Sequence, residues 1–195
     1  MEALSAEVIG LLDYLDVPRT HFVGLSMGGM IGQILALQYP HRVEKLVLCD
    51  TTGRVPPEAA PLWRERIRIA ETHGMTALVQ ETLERWLSDD FRRAQPAITE
   101  RVRNMILRTP VPGYVACCGA ISQFDVLREL PQVTTPTLIM VGEKDPGTPV
   151  SAAEAIHDRI RGSELVVIPG ALHLSNIEKA SFFTEKLMAF LAQET

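Results

Sequence analysis

Ser26 lies in the run Phe22-Val23-Gly24-Leu25-Ser26-Met27-Gly28-Gly29-Met30, a Gly-x-Ser-x-Gly pattern between an apolar strand and an apolar helix. On so sharp a strand-to-helix turn a serine is forced into a strained backbone conformation that pushes its hydroxyl outward. Gly24 and Gly28 leave room for the turn, and Gly29 lets the helix pack close to the strand. The helix also aims its N-terminal N–H groups at the serine, where they can meet a developing negative charge. A glycine-rich turn with an incidental serine would share the five residues but not the flanking strand and helix. Ser26 is a candidate nucleophile.

A serine hydroxyl is a weak nucleophile and needs a base within hydrogen-bond reach, itself oriented by a carboxylate. Of the five histidines, His21 begins a strand, His41 follows Tyr39-Pro40, and His73 and His157 fall in helical or linker context. These four read as surface or satisfied histidines. His173 differs, because Ile168-Pro169-Gly170-Ala171-Leu172-His173 is a loop between the last strand and the last helix. Loops at the C-terminal ends of parallel strands are where such sheets hold reactive groups. Asp145, in Gly142-Glu143-Lys144-Asp145-Pro146, occupies another strand-end loop and is the favoured acid. Glu143, two residues earlier, and Asp50, at the end of the second strand, are its rivals. Asp145 leads because its loop adjoins that of His173 in the expected strand order.

Four apolar blocks can position these groups: Phe22 to Leu25, Val43 to Cys49, Thr137 to Val141 and Leu165 to Ile168. Each is nearly continuous, as expected of parallel strands covered on both faces. Helical patterns span about 3–15, Gly28 to Gln38, Val150 to Arg161 and Asn176 to Ala192, the last with Phe183, Leu187, Phe190 and Leu191 on one face. This alternation predicts an α/β fold. From 54 to 130 no strand pattern occurs, and prolines punctuate four helical segments, one carrying the stripe Ile98, Val102, Met105 and Ile106. We read 54–130 as a helical cap inserted into a core made of 1–53 and 131–195. All basic residues of the cap are arginines. Most read as a solvated face, while one or two could clamp a substrate carboxylate.

With 195 residues, 46% hydrophobic content and a net charge of −5, the chain has the composition of a globular protein. Nothing in it suggests binding to nucleic acid or an anionic membrane, and no apolar run is long enough to span a bilayer. The acidic N-terminus is unlike a signal peptide, so a cytoplasmic setting is expected. Cys49, Cys117 and Cys118 fit neither a disulfide framework nor a metal knuckle. No metal-binding motif, phosphate loop or dinucleotide fingerprint is present.

Val23 to Gln33 resembles the nucleophile elbow of 3-oxoadipate enol-lactonases, within the α/β-hydrolase superfamily. The likeness continues through Arg42 to Thr51, through Trp63 to Ile67, Leu83 to Trp86 and Gly113 to Cys118 in the cap, and through Ala171 to Glu178. The order Ser26, Asp145, His173 also matches that superfamily. The resemblance implies cofactor-free opening of an enol-lactone in aromatic-acid catabolism, with Ser26 attacking, His173 as base and Asp145 orienting it. It further implies that the Met27 backbone N–H donates to the oxyanion and that Trp86 walls the substrate pocket, unless Trp86 is only a core residue.

Members of that family carry several strands and a helix ahead of the elbow, whereas one helix precedes Phe22 here. The early loop that supplies the second oxyanion N–H is therefore not found; His73-Gly74, inside the cap, cannot serve. The first strand is expected to be an open, apolar edge that invites a second copy or a complementing chain. Three readings follow: an enol-lactonase, another hydrolase such as a carboxylesterase or acyl-homoserine lactonase, and a non-catalytic remnant that associates through its open edge.

Overall fold

A computed structural model, described here for residues 1–193, contains two compact units. The first comprises Met1–Arg54 and the chain from Asp125 onward; the second is Val55–Phe124. The first unit begins with α1 (Glu2–Tyr14), β1 (Thr20–Leu25), α2 (Met27–Gln38) and β2 (Val43–Cys49). The second holds α3 (Ala60–His73), α4 (Val79–Trp86), α5 (Asp89–Ala94), α6 (Pro96–Arg108) and α7 (Val111–Ser122). The first then resumes with β3 (Thr137–Gly142), α8 (Val150–His157), β4 (Glu164–Ile168), α9 (Ser175–Glu178) and α10 (Ala180–Leu191).

The sheet is parallel throughout, in the order β1-β2-β3-β4. Side chains of β2 and β3 alternate between two apolar clusters. Leu46, Leu48, Ile139 and Val141 join Leu35, Ala36, Ala153 and Ile156 of α2 and α8. Val47, Cys49, Leu138 and Met140 join Phe183 and Phe190 of α10. Burying each large side chain contributes about 1.5–3 kcal/mol, so this three-layer core fixes the register of both central strands. The edge strands are less covered than continuous apolar blocks imply, since β1 alternates and Val23 is exposed.

Lys45, a cation inside a strand, is almost fully buried. Its Nζ donates to the carbonyls of Phe190 at 3.0 Å, Leu191 at 2.9 Å and Gln193. It thereby caps the C-terminus of α10, whose last carbonyls lack intrahelical donors and carry the negative end of the helix dipole.

The region read as a cap has five helices rather than four. The extra break falls at Leu87, which is extended, and Ser88, whose hydroxyl accepts the Phe91 N–H and caps α5. The compact unit also ends earlier than 130. Asp125 bridges Arg54, and Leu130 is buried with the sheet. At the other end, Lys179 breaks the helix expected over 176–192 into α9 and α10.

Candidate active site

Ser26 joins β1 to α2 with φ 55° and ψ −115°, a backbone conformation that L side chains rarely adopt. Such strain persists only where the surroundings over-determine it. Here the Ser26 N–H donates to the Cys49 carbonyl at 2.8 Å, and the Ser26 carbonyl accepts the Thr51 hydroxyl at 2.7 Å. Gly24 is required, because a Cβ there would lie 2.2 Å from the Gly28 carbonyl oxygen. Gly29 is required too, its Cβ falling 2.6 Å from Thr51 Cγ2. Gly28 is not: a Cβ would meet nothing within 4 Å. The tight approach expected of Gly24 and Gly28 is therefore made by a side chain missing from Gly24 alone.

His173 brings the distant parts together. Its Nε2 is 2.9 Å from Ser26 Oγ, and its Nδ1 is 2.7 Å from Asp145 Oδ2. The imidazole is 9% exposed and the Asp145 carboxylate 0%, so the chain of hydrogen bonds is shielded from water on the acid side. Asp145 also accepts the Gly147 N–H at 2.8 Å, the Thr148 N–H at 3.2 Å and the Thr148 hydroxyl at 2.6 Å. Burial pushes its carboxyl up, but the hydrogen bond and charge of His173, with the Thr148 and Gly147 donors, outweigh it and hold it below the usual carboxylate range. It stays an anion, suited to orienting an imidazole and stabilising an imidazolium.

The rival carboxylates have other partners. Glu143, exposed, accepts the Gly170 N–H at 2.7 Å. Asp50 accepts the Gly142 N–H at 2.8 Å and the Ser175 hydroxyl. Both brace the strand-end loops around the site. Glu178 does the same from α9, accepting the Leu172 N–H at 2.5 Å. Gly142 permits the His173 loop to lie against β3, since a Cβ there would sit 2.3 Å from the Leu172 carbonyl oxygen.

The remaining histidines lie elsewhere: His21 is 3.8 Å from Glu44, His73 is bonded to Thr72, His157 is bonded to Ser163, and His41 sits in a short turn. Met27 is the first residue of α2, so its N–H belongs to the set without an intrahelical acceptor. Trp86 ends α4, half-buried, within the helical unit. Burial pushes the Cys49 thiol up, aided by the Asp50 charge, leaving it inert. Among the described residues, no cluster of three or more His, Cys, Asp or Glu is placed to hold a metal ion.

Sequence reasoning missed Thr51, Thr148 and Ser175. Thr148, three residues after Asp145, is a local partner that spacing could have revealed. Thr51 and Ser175 act across long sequence separations and left no such signal.

The family described as the alpha/beta hydrolase fold matches residues 2–180. A 3-oxoadipate enol-lactonase of Acinetobacter baylyi is 31% identical over 191 residues, covering 98% of this chain and 70% of the relative. The crystal structure of the enol-lactonase from Burkholderia xenovorans superposes with a TM-score of 0.94 at 35% identity, covering 98% of this chain and 73% of that one. A thermophilic esterase from Thermogutta terrifontis, in its malate-bound form, gives a TM-score of 0.89 at 32% identity over 97% of this chain and 71% of its own. The chain belongs to the α/β-hydrolase family.

Proposed function

We propose that this hydrolase opens an enol-lactone, converting 3-oxoadipate enol-lactone to 3-oxoadipate through an acyl-enzyme on Ser26. The observation that carries the reading is the hydrogen-bonded series Ser26–His173–Asp145. It is set in a chain about one-third identical to enol-lactonases over nearly its whole length.

In this reading Ser26 Oγ attacks the lactone carbonyl carbon while His173 Nε2 takes the hydroxyl proton. Asp145 holds the ring by Nδ1 and stabilises the imidazolium. The carbonyl oxygen becomes an oxyanion facing the Met27 N–H at the start of α2. Collapse breaks the ring C–O bond. The enol oxygen leaves with the proton from His173 and tautomerises to a ketone. Water, losing a proton to His173, then attacks the acyl carbon and releases the dicarboxylate, returning the proton to Ser26. No cofactor enters any step. Trp86 packs against the substrate, and an arginine of the helical unit meets its carboxylate. The three unpaired cysteines fit a reducing, cytoplasmic setting.

The esterase similarity supports a second reading, hydrolysis of simple carboxylic esters by the same three residues. Rates on the enol-lactone and on an aryl acetate, measured side by side, separate the two. A kcat/KM at least about a hundredfold higher on the lactone is expected, equivalent to about 2.7 kcal/mol of differential transition-state binding. Equal rates would favour the esterase. A serine-directed phosphonate should label the wild type and leave Ser26→Ala unlabelled. Trp86→Ala should raise KM for the lactone several-fold and change aryl acetate hydrolysis little.

A further inference from the structure

Asp50 stands at the end of β2 with φ 44° and is fully buried. Its N–H donates to the Met140 carbonyl of β3. Its carboxylate spans two loops, Oδ1 accepting the Gly142 N–H at 2.8 Å and Oδ2 accepting the Ser175 hydroxyl. Gly142 closes β3, and its carbonyl accepts the Asp145 N–H at 3.1 Å. Ser175 opens α9, two residues beyond His173. One buried carboxylate therefore joins the loop that carries the acid to the loop that carries the base. A neutral amide would avoid the cost of burying a charge but offers one acceptor oxygen where two donors converge, so the pair of donors calls for a carboxylate.

We propose that Asp50 is a positioning residue for the triad, its carboxylate locking the Asp145 loop to the His173 loop and lending the imidazole a second negative charge as it takes up the Ser26 proton. This rests on the acyl-transfer reading of Ser26, His173 and Asp145. The ionisable groups that act on Asp50 are Asp145 and His173, and Asp50 in turn acts on the preceding Cys49. Burial pushes the Asp50 carboxyl up to about 7, against the pull of Ser175, Gly142 and His173 and with the push of Asp145. Ionised, it accepts from both donors and supports an imidazolium. Protonated, its added hydrogen competes with a donor and the extra charge is gone. The catalytic rate therefore rises as pH passes upward through neutrality and Asp50 ionises.

The test compares wild type, Asp50→Asn and Ser175→Ala by aryl acetate hydrolysis and phosphonate labelling across the neutral range. The Asp50 proton steepens the acid limb of the wild type, and Asp50→Asn lacks that contribution. Above neutrality Asp50→Asn loses about three- to tenfold in kcat with KM held. Ser175→Ala removes a hydrogen bond that lowers the Asp50 pKa, so it moves the limb to higher pH. Two NMR signals read the same coupling without catalysis. The carbon-13 carboxyl of Asp50 titrates near neutrality, and the low-field proton of the His173–Asp145 hydrogen bond follows it in wild type but not in Asp50→Asn. An Asp50→Asn protein that melts like wild type and keeps its kcat and limb overturns the proposal. So does an Asp50 carboxyl titrating in the ordinary carboxylate range. Absence of labelling in wild type sinks the acyl-transfer reading instead, while the two NMR signals still decide the role of Asp50. Should Asp50→Asn fail to fold, Ser175→Ala decides alone: an unmoved limb and an unmoved carboxyl signal overturn the proposal.

Discussion

At the scale of single residues, the site contrasts two buried carboxylates with opposite tendencies. Asp145 gains hydrogen-bond donors from His173, Thr148 and Gly147 and is held low; Asp50 is dominated by burial and is held high. The sign of the Asp145 effect fixes a stability prediction. A carboxyl whose pKa is lower folded than unfolded stabilises the fold above its unfolded value, near 3.9 for a free aspartate, and loses that contribution as pH falls through the folded value. Wild type should therefore lose stability on acidification below about pH 4. Asp145→Asn should show a shallower loss over the same range in urea melts. An identical acid dependence in both proteins would contradict the environment assigned to Asp145. At this scale the sequence was most legible where chemistry demands a residue type: Ser26, His173 and Asp145, chosen at three strand ends, lie within hydrogen-bond reach of one another. It was silent on Thr51 and Ser175, because a hydroxyl bonded across the fold leaves no local spacing.

At the scale of elements, burial explains what could be read and what could not. β2 and β3 are apolar on both sides apart from Glu44, Lys45 and Thr137, and their blocks were plain in the sequence. Lys45 is the exception that periodicity cannot interpret, since its partners are carbonyls well over a hundred residues away. Replacing it by methionine keeps the aliphatic stem but strips three carbonyls of their donor. A loss of about 1–3 kcal/mol is expected in denaturant melts, with faster hydrogen exchange confined to the last turn of α10. A wild-type melting curve would show that water caps that helix equally well. Breaks inside helical stretches were hidden for a related reason. Ser88 is a common N-cap residue, yet helix continuation through Leu87 reads equally well until the fold extends it. The break at Lys179 likewise has no proline or glycine to announce it.

At the scale of the whole molecule, the order β1-β2-β3-β4 places the loops of Ser26, Asp145 and His173 after the first, third and fourth strands, with Asp50 after the second. Every strand end contributes to one cluster. The same order leaves β1 at the sheet boundary, where Val23 is 44% exposed. An uncovered strand edge with an apolar side chain favours association with another strand. Val23→Lys should therefore reduce self-association at high concentration, read by sedimentation, while phosphonate labelling of Ser26 persists. Association unchanged by the substitution would place any contact elsewhere.

The chain leaves the sheet at Gly53-Arg54 and returns at Asp125-Val126 through one antiparallel bridge, with the Val126 N–H donating to the Gly53 carbonyl at 2.9 Å and Arg54 paired to Asp125 at 3.3 Å. Exit and re-entry thus share a single pinch point, so the seventy-residue excursion behaves as a graft whose length hardly taxes the scaffold, loop closure growing only logarithmically with size. Evolution, or an engineer, can exchange that graft while the strand ends that carry Ser26, Asp145 and His173 keep their places.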